Sequence, residues 1–111
     1  MTIRSIRVSH IVLSTKGIAD LLLENLKSCE SNELMLKMFS KLAKKYSACG
    51  SSKKGGDLGF LEFNTAAPEL EKAAMQAPVG KVSGPIQSKF GYHVFVITEE
   101  EKMIDTGIDG L

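Results

Sequence analysis

The sequence predicts an α+β domain built on a mostly antiparallel sheet. Three observations carry that expectation. Residues 6–13 alternate with the period of a strand, and residues 92–98 (YHVFVIT) form a second strand-like run; both are rich in β-branched side chains. Between them lie stretches with helical spacing. A turn-rich segment (VGKVSGP) precedes the last strand, so the chain closes on a hairpin rather than on a helical crossover. With 111 residues, 43% of them hydrophobic and 24% charged, residues 1–111 read as one domain with a core of its own.

The elements follow in order. In the first strand Ile6, Val8, His10 and Val12 share one face, and Arg7, Ser9, Ile11 and Leu13 share the other. A helix over 16–28 places Ile18, Leu22 and Leu26 on one stripe, with Gly17 weakening its start. Ser31 and Asn32 offer the N-cap of a second helix. In it Met35, Met38, Phe39, Leu42 and Tyr46 recur at helical spacing. CGSSKKGGDLG cannot continue that helix and reads as a loop. LGFLEF follows as a short strand. Pro68 suits the first turn of a third helix reaching about Ala77, with Leu70, Ala73, Ala74 and Ala77 inward. In the strand over 92–98, His93, Phe95 and Ile97 share a face. Residues 99–111 carry little apolar content and are expected to fray.

Composition excludes several classes. The formal net charge of +1 gives no global pull toward nucleic acid or an anionic membrane. No apolar run approaches the roughly 20 residues of a membrane span. The N-terminus lacks the apolar segment and cleavage pattern of a signal peptide. Two cysteines, Cys29 and Cys49, are too few for a disulfide scaffold, so a reducing cytoplasm is the expected compartment. Charge is placed unevenly. Residues 34–56 hold six lysines and no acid, and residues 99–111 hold five acids against one lysine. Such runs are ordinarily solvated surface. The sharper reading puts Lys53 and Lys54 beside a binding site that favours acidic or phosphorylated ligands. Nucleic acid is not an expected partner.

The chain has two histidines. Each lies in a strand on the same face as aliphatic neighbours. A buried neutral imidazole needs one partner for its N–H and another for its lone pair, and two imidazoles facing inward from different strands can satisfy each other. Taken singly, such a histidine is ordinarily a satisfied core residue. No carboxylate or cysteine sits at ligand spacing from either, so no metal and no cofactor is expected. Cys49, in a Gly/Ser loop with Lys45 and Lys53 nearby, has the surroundings of a thiol with some thiolate character. No phosphate-cradling loop or nucleophile elbow is present.

Taken together, three strings resemble the parvulin family of peptidyl-prolyl cis/trans isomerases. VSHIV is similar to its opening strand. LAKKYSACGSSKKGGDLGFL is similar to the segment that carries a Cys or Asp and a GGDLG loop. GKVSGPIQSKFGYHVFVI is similar to its closing hairpin, where Gly-Pro and Phe-Gly-x-His place the second histidine. The resemblance spans residues 9–97, in order and nearly without gaps. It implies a parvulin (FKBP-like) fold, four mostly antiparallel strands surrounded by helices, and non-covalent catalysis of X-Pro rotation that assists protein folding. The implied polar tetrad is His10, Cys49, Ser88 and His93, and the implied proline pocket is Leu58, Ala66, Leu70 and Phe90. Implied partners are proline-containing peptides or unfolded protein segments, met by a monomer.

Two departures lie in that pocket. Family members place a methionine where this chain has Ala66 and a phenylalanine where it has Leu70. Apolar contact is worth roughly 25 cal/mol per Å². A few kcal/mol lost only in the transition state is a factor of about a hundred or more in rate. The expectation is a weaker isomerase or, as the alternative, a parvulin-fold module that binds peptides or a partner protein without catalysis. The short STKG loop lacks the arginine cluster of the phosphate-specific branch, which argues against strict phospho-Ser/Thr-Pro recognition.

Overall fold

In the computed structural model the order is β1 (Thr2–Leu13), α1 (Lys16–Lys27), α2 (Asn32–Tyr46), β2 (Asp57–Phe60), α3 (Pro68–Gln76), β3 (Ser83–Ser88) and β4 (Gly91–Ile104). The described residues are 2–47, 55–60 and 67–104, without the side chains of 2–4 and 102–104. One antiparallel sheet runs β2-β1-β4-β3. The two longest, most β-branched strands thus occupy its centre, each with a neighbour on both sides.

Central placement explains why β1 is buried on both faces and not half-solvated. Ile11 and Leu13 pack with Val94, Val96 and the inner faces of α1 and α2. Ile6 and Val8 pack with Phe95, Ile97 and, from α3, Leu70 and Ala74. The layers are therefore α1 and α2, the sheet, then α3. The order β-α-α-β-α-β-β is the one the sequence predicts.

The caps follow ordinary chemistry. Thr15 accepts the Ile18 N–H to begin α1, and Ser31 accepts the Leu34 N–H to begin α2. Both helices turn slightly differently from expectation. Ile18, Met38 and Tyr46 are exposed, and Ala19, Leu23 and Ala43 take inward places. The small alanines let the helices approach the sheet closely, which rotates the larger residues to the rim. In α3, Pro68 stands at the first turn and Leu70, Ala74 and Ala77 are buried, with Ala73 partly so.

The acidic C-terminal segment differs from expectation. β4 continues through Ile104, paired with β1 from Arg7↔Glu99 to Thr2↔Ile104. Low apolar content argued for fraying, but a partner strand supplies backbone hydrogen bonds that composition does not register. Residues 105–111 lie outside the described residues. At Thr98 the register shifts, with Arg7 opposite Glu99 and Val8 opposite Ile97. The Thr98 hydroxyl donates to the Arg7 carbonyl at 3.2 Å, satisfying an acceptor at the bulge.

Candidate active site

The site begins with strand register. β1 and β4 pair Val12 with His93 and His10 with Phe95, so the histidines are diagonal neighbours on the α3 face of the sheet. His10 Nδ1 and His93 Nδ1 are 3.0 Å apart, and the rings stack with centroids 5.2 Å apart and 21° between planes. Both are buried, at 5% and 2% exposure. Ser88, the last residue of β3, sits beside them because the Lys89–Phe90 turn returns the chain directly into β4. Its Oγ is 2.6 Å from His93 Nε2 and accepts the Phe90 N–H at 3.2 Å.

This network constrains the protons. One hydrogen bond between two Nδ1 atoms needs one protonated and one bare nitrogen, so the two imidazoles hold complementary tautomers. Ser88 Oγ accepts from Phe90 and has its own proton to offer to His93 Nε2. That direction places the His93 proton on Nδ1, donated to His10 Nδ1, and the His10 proton on Nε2. His10 Nε2 is buried and has no hydrogen-bond partner. Reversing the relay would send the Ser88 proton to solvent and leave a bare nitrogen at the same place. In either direction the relay ends at His10 Nε2.

Electrostatics keep both rings neutral. Burial, and then the charge of His93, lower His10 from 6.5 to about 4. Burial also lowers His93, opposed by the carboxylate of Glu69 on the first turn of α3. A proton added to either Nδ1 would break the bond between them.

The structure brings His10, His93 and Ser88 together. Cys49 and Ala66 lie outside the described residues, as do Lys53 and Lys54. The other pocket candidates are spread over three environments. Leu58 is half-buried against the α3-side core. Leu70 lies inside that core with no exposed surface. Phe90 is 60% exposed in the turn after Ser88, with the Lys89 ammonium 5.2 Å from its ring centroid.

Sequence reasoning missed four contributors. Ile86 pairs with His93 across β3 and is half-buried beside it, which only the register reveals. Glu69 acts on His93 from a helix with no sequence link to the strand. Ser47 accepts the Val12 N–H at 3.0 Å, tying the end of α2 to β1 beside the site. Gly56 accepts the His10 N–H at 2.9 Å. Its φ is +87°, and a Cβ there would stand 2.3 Å from the His10 carbonyl oxygen, so glycine is required on both counts. The GGDLG string was the available signal for Gly56.

A four-stranded sheet with this helix order, carrying stacked, buried histidines on adjacent central strands, defines a parvulin-type rotamase domain. Residues 10–99 match the family described as Rotamase, PPIC-type PPIASE domain, and the chain belongs to that family. Its relatives include the foldase protein PrsA of Geobacillus kaustophilus, 39% identical over 98 residues, a match covering 87% of this chain and 32% of that protein. Among solved structures, the parvulin of Nitrosopumilus maritimus is 40% identical with a TM-score of 0.70, covering 86% of this chain and 96% of that one. PrsA of Bacillus anthracis is 34% identical with a TM-score of 0.77, covering 88% of this chain and 42% of that one. The chain spans about a third of the length of the curated foldases it matches.

Proposed function

We propose that this chain accelerates cis/trans rotation about X-Pro bonds in protein substrates, without a covalent intermediate, and so assists folding. The observation that carries the reading is the buried, neutral His10–His93–Ser88 relay within a domain of the rotamase family.

The reaction meets a barrier of about 18–20 kcal/mol because twisting the amide loses its resonance. A catalyst has only to favour the twisted amide over both planar forms. The half-buried wall at Leu58 and Ile86, backed by Leu70 and Phe95, supplies an apolar surface for the proline ring. Phe90 stands exposed in the turn after Ser88 and offers a further apolar face. The two imidazoles form a rigid polar floor. Being neutral, they act through oriented dipoles and give no charge that would hold a planar carbonyl in place. Ser88 is a positioning residue, since it fixes the tautomer of His93 and through it that of His10. The resemblance implies Cys49 as the weakly polar neighbour of the carbonyl. A nucleophilic role would need an exposed thiolate facing it.

The finer reading is a monomer acting in a reducing compartment on substrates that need no phosphate. The two cysteines, the near-neutral charge and the arginine-free STKG loop support it. Among the described residues no helix is long and apolar enough to cross a membrane. Size-exclusion with light scattering tests the monomer, and paired Ser-Pro and phospho-Ser-Pro peptides test the phosphate independence.

The activity is tested by NMR exchange spectroscopy on single-proline peptides. Faster cis/trans exchange with catalytic amounts of protein is expected. No acceleration at tens of micromolar would refute it. The complete burial of Leu70 favours a second reading, a client-binding module without turnover. Shifts at Leu58, Ile86 and Phe90 with no change in exchange would establish that one.

A further inference from the structure

The chain's charges nearly cancel, at +1, but they are gathered unevenly. From Leu34 to Tyr46, α2 carries four lysines and neither a carboxylate nor an arginine. Lys37, Lys41 and Lys44 recur at i, i+4 and i+7, Lys45 adjoins them, and all four are exposed. The opposite side of the helix, with Met35, Phe39 and Ala43, is buried in the core on the sheet. The lysines therefore form one stripe on the outward side of α2.

The neighbouring charges leave this stripe uncompensated. Asp20 and Glu24 on α1, Glu30 in the turn after it and Glu33 at the start of α2 all precede Leu34, and Lys16 and Lys27 offset two of these four carboxylates. Glu33 reaches Lys37 at 3.6 Å, an ion pair between two exposed side chains. Among the described residues Lys41, Lys44 and Lys45 form no ion pair. Helix chemistry explains only the end of the stripe, where Lys44 and Lys45 complement the dipole of the last turn. Lys37 and Lys41 stand in the middle, and like charges one turn apart oppose the helix. Beside them Leu34 and Met38, also one turn apart, are 50% and 40% exposed, and Tyr46 is exposed at the helix end.

We propose that the outward face of α2 docks on the anionic phospholipid headgroups of a bilayer. Charge complementarity names the partner. Lysine ammonium groups are compact, hydrated point charges that suit a diffuse anionic layer. The planar arginine fork that reads single phosphates and bases is missing from this face, which sets it apart from a nucleic-acid surface. Leu34 and Met38 reach toward the acyl boundary, and Tyr46 suits the headgroup level. The apolar side of α2 is already spent on the sheet, so the helix cannot sink into the bilayer. Attachment is shallow, electrostatic and reversible, with each lysine worth about fivefold in partitioning. Helices α1 and α2 cover one face of the sheet and the histidines lie on the other. A docked chain therefore turns His10 and His93 toward solvent. The surface is separate from the candidate active site and does not rest on the isomerase reading.

The test is co-sedimentation of the full chain with vesicles of phosphatidylcholine and phosphatidylglycerol, against vesicles of phosphatidylcholine alone. Binding to the anionic vesicles only, at about 50 mM salt, and its loss by about 500 mM are expected. Lys41→Gln should weaken binding about fivefold, and Lys41→Gln with Lys44→Gln about twenty-five-fold. Lys72→Gln, at an exposed position on α3, should leave it unchanged. No binding to anionic vesicles at low salt, equal binding to both compositions, or equal losses in Lys41→Gln and Lys72→Gln would overturn the proposal. So would release from the vesicles by millimolar inorganic phosphate, which marks a discrete phosphate site, or by a DNA duplex at matched phosphate, which marks a nucleic-acid surface.

Discussion

Acid should destabilise this protein before its carboxylates titrate, because His10 is buried neutral. Its folded pKa is about 4 against 6.5 in the unfolded chain. A folded value below the unfolded one means that the unfolded chain binds the proton first. Stability from this group is therefore complete above about pH 6.5 and is lost as pH falls toward 4. The full span is about 3 kcal/mol, at about 1.4 kcal/mol per tenfold change in proton activity. Between pH 7 and 5 the expected loss is about 2 kcal/mol, and His93 acts in the same direction. That is a large fraction of the 5–15 kcal/mol typical of a domain. The assay is urea unfolding at half-unit steps from pH 7.5 to 5, with the imidazole C–H shifts of His10 followed over the same range. The wild-type midpoint should fall steadily below pH 6.5 while the native His10 shifts stay flat. In His10→Leu the pH dependence should shrink. A wild-type stability level from pH 7 to 5, or a native His10 that titrates near 6.5, would refute the reasoning.

Further predictions follow from single contacts. Ser88→Ala strands the Phe90 N–H and His93 Nε2; it should cost roughly 1–3 kcal/mol in urea unfolding and slow X-Pro exchange more than it weakens peptide binding. Gly56→Ala forces a side chain into a left-handed backbone against the His10 carbonyl; it should destabilise by at least about 1–2 kcal/mol and broaden the His10 and His93 resonances. Leu70→Phe adds bulk to a residue with no exposed surface; a loss of about 1–3 kcal/mol is expected, with no gain in rate, whereas Ala66→Met is expected to raise the exchange rate.

Much of the fold was legible because the strong signals were local. The alternation around His10 and His93, the Ser31 cap and Pro68 each act within one turn or one strand. What failed was set at a distance. β4 runs past Glu99 because Thr2–Arg7 lies beside it, and no property of the acidic segment announces a partner ninety residues away. The burial of Ile11 and Leu13 depends on β1 being central, which the first strand alone does not encode. In the site, the two histidines and Ser88 were legible from the ordered motifs, but the tautomer relay needed coordinates. Leu70 was expected to line the pocket; α3 seats it in the core cluster with Phe95, which only the packing reveals.

The most direct test of the central claim is the rate of cis/trans exchange of a single-proline peptide with and without the protein, at pH 7.5 and again at pH 5.5. Neutral histidines acting through fixed dipoles predict a clear acceleration, equal at both values after correction for the folded fraction. No acceleration, or one that falls with a midpoint near 6.5, would contradict the account.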